Sequence, residues 1–162
     1  MKYDVYTDGS FRDYGGDIGA FYSCAATISE HGSSQVLVTL TKVSNDDLIS
    51  MRNVAGEIMA VMMAFEHCIN VLKLKQDDVV VVHHDYVGIH NWIKRKGEPD
   101  FWKCKNEITQ AYRDYVNSIV RTRFKVEFVH TPGHKGIAGN EYVDAIAKEA
   151  MDNHVNKLIA RG

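Results

Sequence analysis

Four acids in this chain of 162 residues stand at positions where an uncompensated charge is costly. Asp8 closes the stretch Tyr3-Asp4-Val5-Tyr6-Thr7, whose alternation reads as a strand, and Asp85 follows the apolar run 79–82, which reads as a strand buried on both faces. Glu57 falls in the first turn of a helical pattern beside Ile58, and Asp144 follows Val143 in the last such pattern. Taken singly, an acid at a helix end is explained by the helix dipole. Acids that end buried strands need another explanation. Gathered together, carboxylates repel and raise one another's pKa unless a cation neutralises them. An oxygen-only donor set suits a hard divalent ion, Mg2+ or Mn2+. Two such ions about 4 Å apart can activate a water and stabilise the leaving oxygen in an in-line attack on a phosphodiester.

Other residues offer supporting or competing chemistry. His134 lies in Gly133-His134-Lys135-Gly136, a loop sequence that suits a proton shuttle near neutral pH, although a surface histidine in a flexible loop is the plainer alternative. His130 and His134 have H-x3-H spacing and His83-His84 could approach, but no C-x2-C partner exists, so a structural zinc is not expected. Ser10 has no readable triad and suits a turn-stabilising hydroxyl. Trp92, Phe101 and Trp102 are interleaved with Lys94, Arg95, Lys96, Lys103 and Lys105. Rings for stacking and cations for phosphates would make a nucleic-acid contact, while one core tryptophan and a solvated charged face explain the same pattern.

The elements that must bring these side chains together follow from periodicity. Residues 3–10 form the first strand, with Gly9 permitting a close turn at its exit and a polar, glycine-bearing loop over 11–17. Residues 18–29 and 35–43 read as two more strands joined by the hairpin His31-Gly32-Ser33-Ser34. Apolar residues then recur at three- and four-residue intervals over 54–72, an amphipathic helix with Asn53 as its candidate N-cap. The strand at 79–82 leads into a helix over 86–96, broken around Gly97-Glu98-Pro99, and a longer helix over 100–120. A last strand at 124–130, a loop at 131–136 and a helix over 140–159 complete the chain.

The 45% hydrophobic and 25% charged content is ordinary for one soluble globular domain, and the formal charge of −2 argues against a protein that coats nucleic acid without specificity. Cys24, Cys68 and Cys104 are few, scattered and set mostly among apolar residues, as expected of buried thiols in a reducing compartment. No apolar run approaches a membrane span, and Met1-Lys2 leads directly into the first strand, so a cytosolic protein is expected.

These motifs resemble the type 1 ribonucleases H. Thr7-Asp8-Gly9-Ser10 is similar to that family's first-strand motif, Asn53-Val54-Ala55-Gly56-Glu57 to its helix start, and His84-Asp85-Tyr86 to the end of its fourth strand. The longest similarity is Gly133-His134-Lys135-Gly136-Ile137-Ala138-Gly139-Asn140-Glu141-Tyr142-Val143-Asp144-Ala145-Ile146-Ala147-Lys148. The resemblance implies an α/β ribonuclease H-like fold, with a five-stranded mixed sheet, three antiparallel then two parallel strands, flanked by helices. It implies a single monomeric domain over 1–162 and an endonuclease that cuts the RNA strand of RNA/DNA hybrids, leaving 5′-phosphate and 3′-hydroxyl ends. Asp8, Glu57, Asp85 and Asp144 would hold two Mg2+ ions, or Mn2+, and His134 would assist proton transfer or product release. Asn53 would read RNA 2′-hydroxyls, Asn140 would lie near the scissile phosphate, and Ser10, Trp92 and Trp102 would complete the substrate contacts, the tryptophan segment facing the DNA strand.

The chain departs from the family pattern at Phe11-Arg12-Asp13-Tyr14-Gly15-Gly16, which replaces a glycine- and proline-rich turn, at Val54, where a polar residue is frequent, and at Tyr86, where serine is common. The basic segment is also short. A DNA-cutting nuclease or resolvase of the same fold is the rival enzyme, and a hybrid-binding module with a dead site is the non-enzymatic alternative. A retroelement fragment would carry the same motifs.

Overall fold

The computed structural model describes residues 1–131 and 138–161. Five strands form one mixed sheet among the described residues: β1 (Lys2–Asp13), β2 (Ala20–Glu30), β3 (Val36–Ser44), β4 (Val79–His84) and β5 (Lys125–His130), in the order β3-β2-β1-β4-β5. The first three pair antiparallel, and β4 runs parallel to both β1 and β5. That is the architecture expected from the strand patterns and the resemblance.

The helices cover both faces of the sheet. Helix α1 (Asn53–Asn70) packs Ile58, Val61 and Phe65 against Val5, Ile28, Val80 and Val82, all fully buried. Burying side chains of this size contributes about 1.5–3 kcal/mol each. Tyr112 of α3 (Glu107–Asp114), together with Val116 and Val120 beyond it, extends the same core. On the opposite face α4 (Ala138–Arg161) sets Val143 and Ala147 on Ala25, and Met151 and Val155 on Phe21. Ser23 Oγ donates to the Ala147 carbonyl at 2.8 Å and fixes that helix along the sheet. No helix among the described residues is long and apolar enough to cross a membrane. The three cysteines are free, Cys24 and Cys68 being buried.

Four segments differ from the sequence expectation. First, β1 does not end at Ser10. It continues to Asp13, pairing Phe11, Arg12 and Asp13 with Tyr22, Phe21 and Ala20, and closes in a tight tip where the Tyr14 amide donates to Gly19 O at 3.0 Å. Gly15 and Gly19 adopt φ 67° and 80° there, which other residues rarely reach. Gly9 therefore lies inside a strand rather than at a turn.

Second, the helix expected over 86–96 shortens to α2 (Gly88–Asn91). Arg113 Nη1 donates to the carbonyls of Trp92 and Lys94, both at 2.7 Å, and Asn117 Nδ2 to that of Ile93 at 3.0 Å. Side chains from later in the chain thus satisfy carbonyls left open beyond the end of the short α2. Third, residues 101–106 are not helical. Asn106 caps α3, its Oδ1 accepting from the Thr109 amide at 2.8 Å, and the helix then continues through a π turn at Tyr115–Ile119 and a 3-10 turn at Val120–Thr122. A 3-10 turn at Asp47–Met51, capped by Asp46, was not expected before α1.

Candidate active site

Asp8 lies where the sheet divides. Strands β1 and β4 pair only from Lys2↔Val79 to Tyr6↔His83, after which β1 continues beside β2 alone, with Asp8 opposite Ala25. Beside this division the first turn of α1 rests on the backbones of β1 and β2. A Cβ on Gly9 would stand 2.4 Å from the Gly56 carbonyl carbon and 2.5 Å from the Glu57 amide nitrogen, so helix and strand meet through backbone atoms. This contact delivers Glu57 to Asp8. Arg52, not Asn53, takes the cap position of α1, with φ 52°, and Asn53 becomes the exposed first residue of the helix.

Oxygens of Asp8, Glu57 and Asp85 all lie within 4.8 Å of one another, contributed by β1, α1 and the residue directly after β4. Asp8 is 2% exposed and Glu57 8%. The Gly9 amide donates to Asp8 Oδ1 at 2.9 Å. Burial, then the charges of Asp8 and Asp85, push the Glu57 carboxyl well above the usual carboxylate range. Its Oε2 is buried with no hydrogen-bond partner among the described residues. A buried acceptor left in this state within an oxygen-only cluster fits a hard divalent cation, which would satisfy the oxygen and remove the repulsion. No other cluster of metal-ligating side chains is found among the described residues.

The histidines are engaged otherwise. His84 is 1% exposed, and burial pushes its imidazole down to about 4, so it is neutral near pH 7 and its Nδ1–H donates to the Tyr86 carbonyl at 3.0 Å. His130 Nε2 donates to the Asp85 carbonyl at 2.7 Å. His83 Nε2 and His31 Nδ1 both donate to Asp4 Oδ1 at 3.0 Å, and His83 stacks on Tyr6 with ring centres 4.3 Å apart.

Asp144 occupies α4, half-buried, with Lys148 Nζ at 2.9 Å from its Oδ2, and it is not one of the three clustered acids. Asn140, 2% exposed, donates through Nδ2 to Thr131 Oγ1 and, at 3.3 Å, to Thr131 O. Ser10 is half-buried on β1 beside Ser23. His134 lies outside the described residues.

Trp92 and Trp102 stack edge to face, ring centres 5.7 Å apart, with Tyr86 against both. They line a cleft of about 480 Å³ with Phe101, Lys103, Lys105 and Asn106. Trp92 is 7% exposed and belongs to the core, whereas Trp102 is half-buried at the cleft. The sequence reading singled out neither Gly56 nor Arg52. A glycine in the first turn of a helix, where propensity disfavours it, was the available sign of close packing.

The sequence matches the RNase H family model over residues 1–152. It is 25% identical to the ribonuclease H of Methylobacillus flagellatus, with 96% of this chain and 95% of that protein aligned. It is also 30% identical over 108 residues to human ribonuclease H1, covering 60% of this chain and 34% of that protein, so the matched part spans about a third of the human relative. Among solved structures, RNase H1 from Halobacterium salinarum superposes with a TM-score of 0.69 at 16% identity, covering 94% of this chain and 99% of that one. LC11-RNase H1 in complex with an RNA/DNA hybrid superposes with a TM-score of 0.63 at 18% identity, covering 92% and 99%. With the acid cluster, the sheet order and the sequence match in agreement, the chain belongs to the RNase H family of hydrolytic nucleases.

Proposed function

We propose that this chain is an endonuclease that cuts the RNA strand of RNA/DNA hybrids, leaving 5′-phosphate and 3′-hydroxyl ends, with two Mg2+ ions, or Mn2+, held by Asp8, Glu57, Asp85 and Asp144. The observation that carries this reading is the convergence of three carboxylates from three separate elements within 4.8 Å. Divalent ions bound there would supply Lewis-acid activation of water and charge stabilisation at the leaving oxygen.

The protein's own contribution is placement. Asp8 is held by the Gly9 amide and by its sheet register, and Glu57 by the glycine contact beneath the helix. Asn53, exposed at the head of α1 four positions before Glu57, would present an amide to a ribose 2′-hydroxyl, the group that distinguishes RNA from DNA. Trp102 and the lysines of its cleft would take the other strand. His134 would move a proton at the attacking or leaving oxygen, and Ser10 and Asn140 would support the phosphate. The hybrid bound by LC11-RNase H1, a protein of the same fold, supports this substrate class.

The test is an end-labelled RNA/DNA hybrid compared with RNA and DNA duplexes, with and without Mg2+. Only the RNA strand of the hybrid is expected to be cut, and Asp85→Asn is expected to abolish cutting with the far-UV circular dichroism unchanged. DNA duplex cut as fast as hybrid would instead identify a DNA-cutting nuclease. Binding without turnover across Mg2+ and Mn2+ titrations would identify a binding module.

A further inference from the structure

The backbone on either side of Asp85 is held in an unusual way. Strand β4 ends at His84, which still pairs with His130 of β5 but has lost its β1 neighbour, so the carbonyls of residues 85 and 86 stand beyond the regular ladder. Each has a side-chain donor. The His84 carbonyl accepts from the Thr131 amide at 2.8 Å and from Thr131 Oγ1 at 3.2 Å. The Asp85 carbonyl accepts from His130 Nε2 at 2.7 Å, and the Tyr86 carbonyl from His84 Nδ1 at 3.0 Å. His130 also lies over His84, with ring centres 5.6 Å apart and planes 29° apart.

Two of these donors, His84 and Thr131, are buried and serve packing as well as hydrogen bonding. His130 is exposed on the edge strand β5, and its removal would leave no cavity. Its shortest contact goes to the peptide of a carboxylate in the acid cluster. Tilting that peptide turns the Cα–Cβ bond of Asp85 and moves its carboxylate relative to Asp8 and Glu57, because the three oxygens converge from different elements.

We infer that His130 is a positioning residue for Asp85, holding its backbone so that the three carboxylates present a preformed divalent-cation site. The inference deepens the proposed function and rests on its reading of the acid cluster. Partners outside the ligand shell set ligand orientation, and their loss costs roughly 10–100-fold in metal affinity. Neutral or charged, the imidazole can donate at Nε2, so the role does not depend on its titration.

Two variants separate this role from a structural one. His130→Phe keeps a flat ring over His84 but cannot donate, whereas His130→Gln places an amide N–H at a similar reach. Mn2+ binding to the protein without nucleic acid is read by isothermal titration, alongside the thermal midpoint and the half-saturating Mg2+ concentration for hybrid cleavage. His130→Phe is expected to weaken Mn2+ binding and raise the Mg2+ requirement by about tenfold, with the thermal midpoint of the metal-free protein unchanged, and His130→Gln to restore most of both. Wild-type metal affinity in His130→Phe would overturn the inference, as would a His130→Gln variant as impaired as His130→Phe. Wild-type protein that binds Mn2+ but cuts no hybrid would sink the proposed function while the titration still reads the role of His130. Wild-type protein that binds no Mn2+ would sink both.

Discussion

Gly9 of β1 and Gly56 of α1 meet backbone against backbone: a Cβ on Gly56 would lie 2.8 Å from the Gly9 Cα and 2.4 Å from the carbonyl oxygen of Ser23. Neither obstacle is a side chain that could swing away. Gly56→Ala must therefore lift the first turn of α1 from the sheet. Overpacking of this kind costs about 1–3 kcal/mol, and a displacement near 1 Å at Glu57 is expected to lower hybrid cleavage by about 10²-fold. Urea unfolding with an unchanged m-value, paired with single-turnover cleavage, checks both effects.

Glu57 makes the metal-free protein less stable than its fold would allow. Its folded carboxyl, raised by burial and by Asp8 and Asp85, keeps its proton to higher pH than in the unfolded chain. The stability it contributes is present below the ordinary carboxylate range and is lost as pH rises through that range toward the raised folded value. In chelator, Glu57→Gln is expected to raise the thermal midpoint at pH 7 by a few degrees, to have little effect near pH 4, and to abolish cleavage. An unchanged or lower midpoint at pH 7 would contradict the cost assigned to this charge.

Asp4 shows the opposite sign on the other face of β1. Burial pulls its carboxyl up, but hydrogen bonds from His83 and His31, together with the Gly32 amide at 3.1 Å, outweigh that and hold it below the usual range. Its contribution is present above the ordinary carboxylate range and is lost as pH falls through the depressed folded value. Asp4→Ala strips the acceptor from half-buried His83 and is expected to cost about 1–3 kcal/mol at pH 7, with the difference from wild type shrinking in acid. Chemical denaturation at pH 7 and pH 3 measures the two ends.

The two tryptophans are expected to separate into different roles. Trp92→Ala opens the core and is expected to cost about 3–5 kcal/mol in stability. Trp102→Ala removes a half-buried ring from the cleft, with an expected loss of about 1–3 kcal/mol in hybrid affinity, read as a raised KM with a smaller change in thermal midpoint. Equal effects of the two variants on KM and on stability would refute the division.

Much of the architecture was legible because it follows from periodicity. The alternation in β3, the apolar run of β4 and the three- and four-residue spacing of α1 each specify an element through the side of the chain that must be buried. The segment after Asp85 was not legible, because the donors that satisfy its carbonyls beyond the short α2 lie far along the chain. Arg113 and Asn117 take carbonyls some twenty positions earlier in the chain, and no local pattern signals that. The extension of β1 past Ser10 was hidden for a related reason: Phe11 to Asp13 are strand only because β2 lies beside them.

By itself the sequence marked Asp8, Glu57, Asp85 and Asp144 as candidates, by residue type and by position at the edges of apolar stripes, and the first three of these lie together in the fold. The tertiary structure alone decided how they meet. Three carboxylates converge because two glycines let a helix rest on a strand, and because the sheet divides beside Asp8. It also decided that His130 grips the Asp85 peptide and that Arg52 rather than Asn53 caps α1. Residue type and spacing are written in one dimension, but the cost of a buried charge and the fit of backbone against backbone depend on distances between elements that only folding sets.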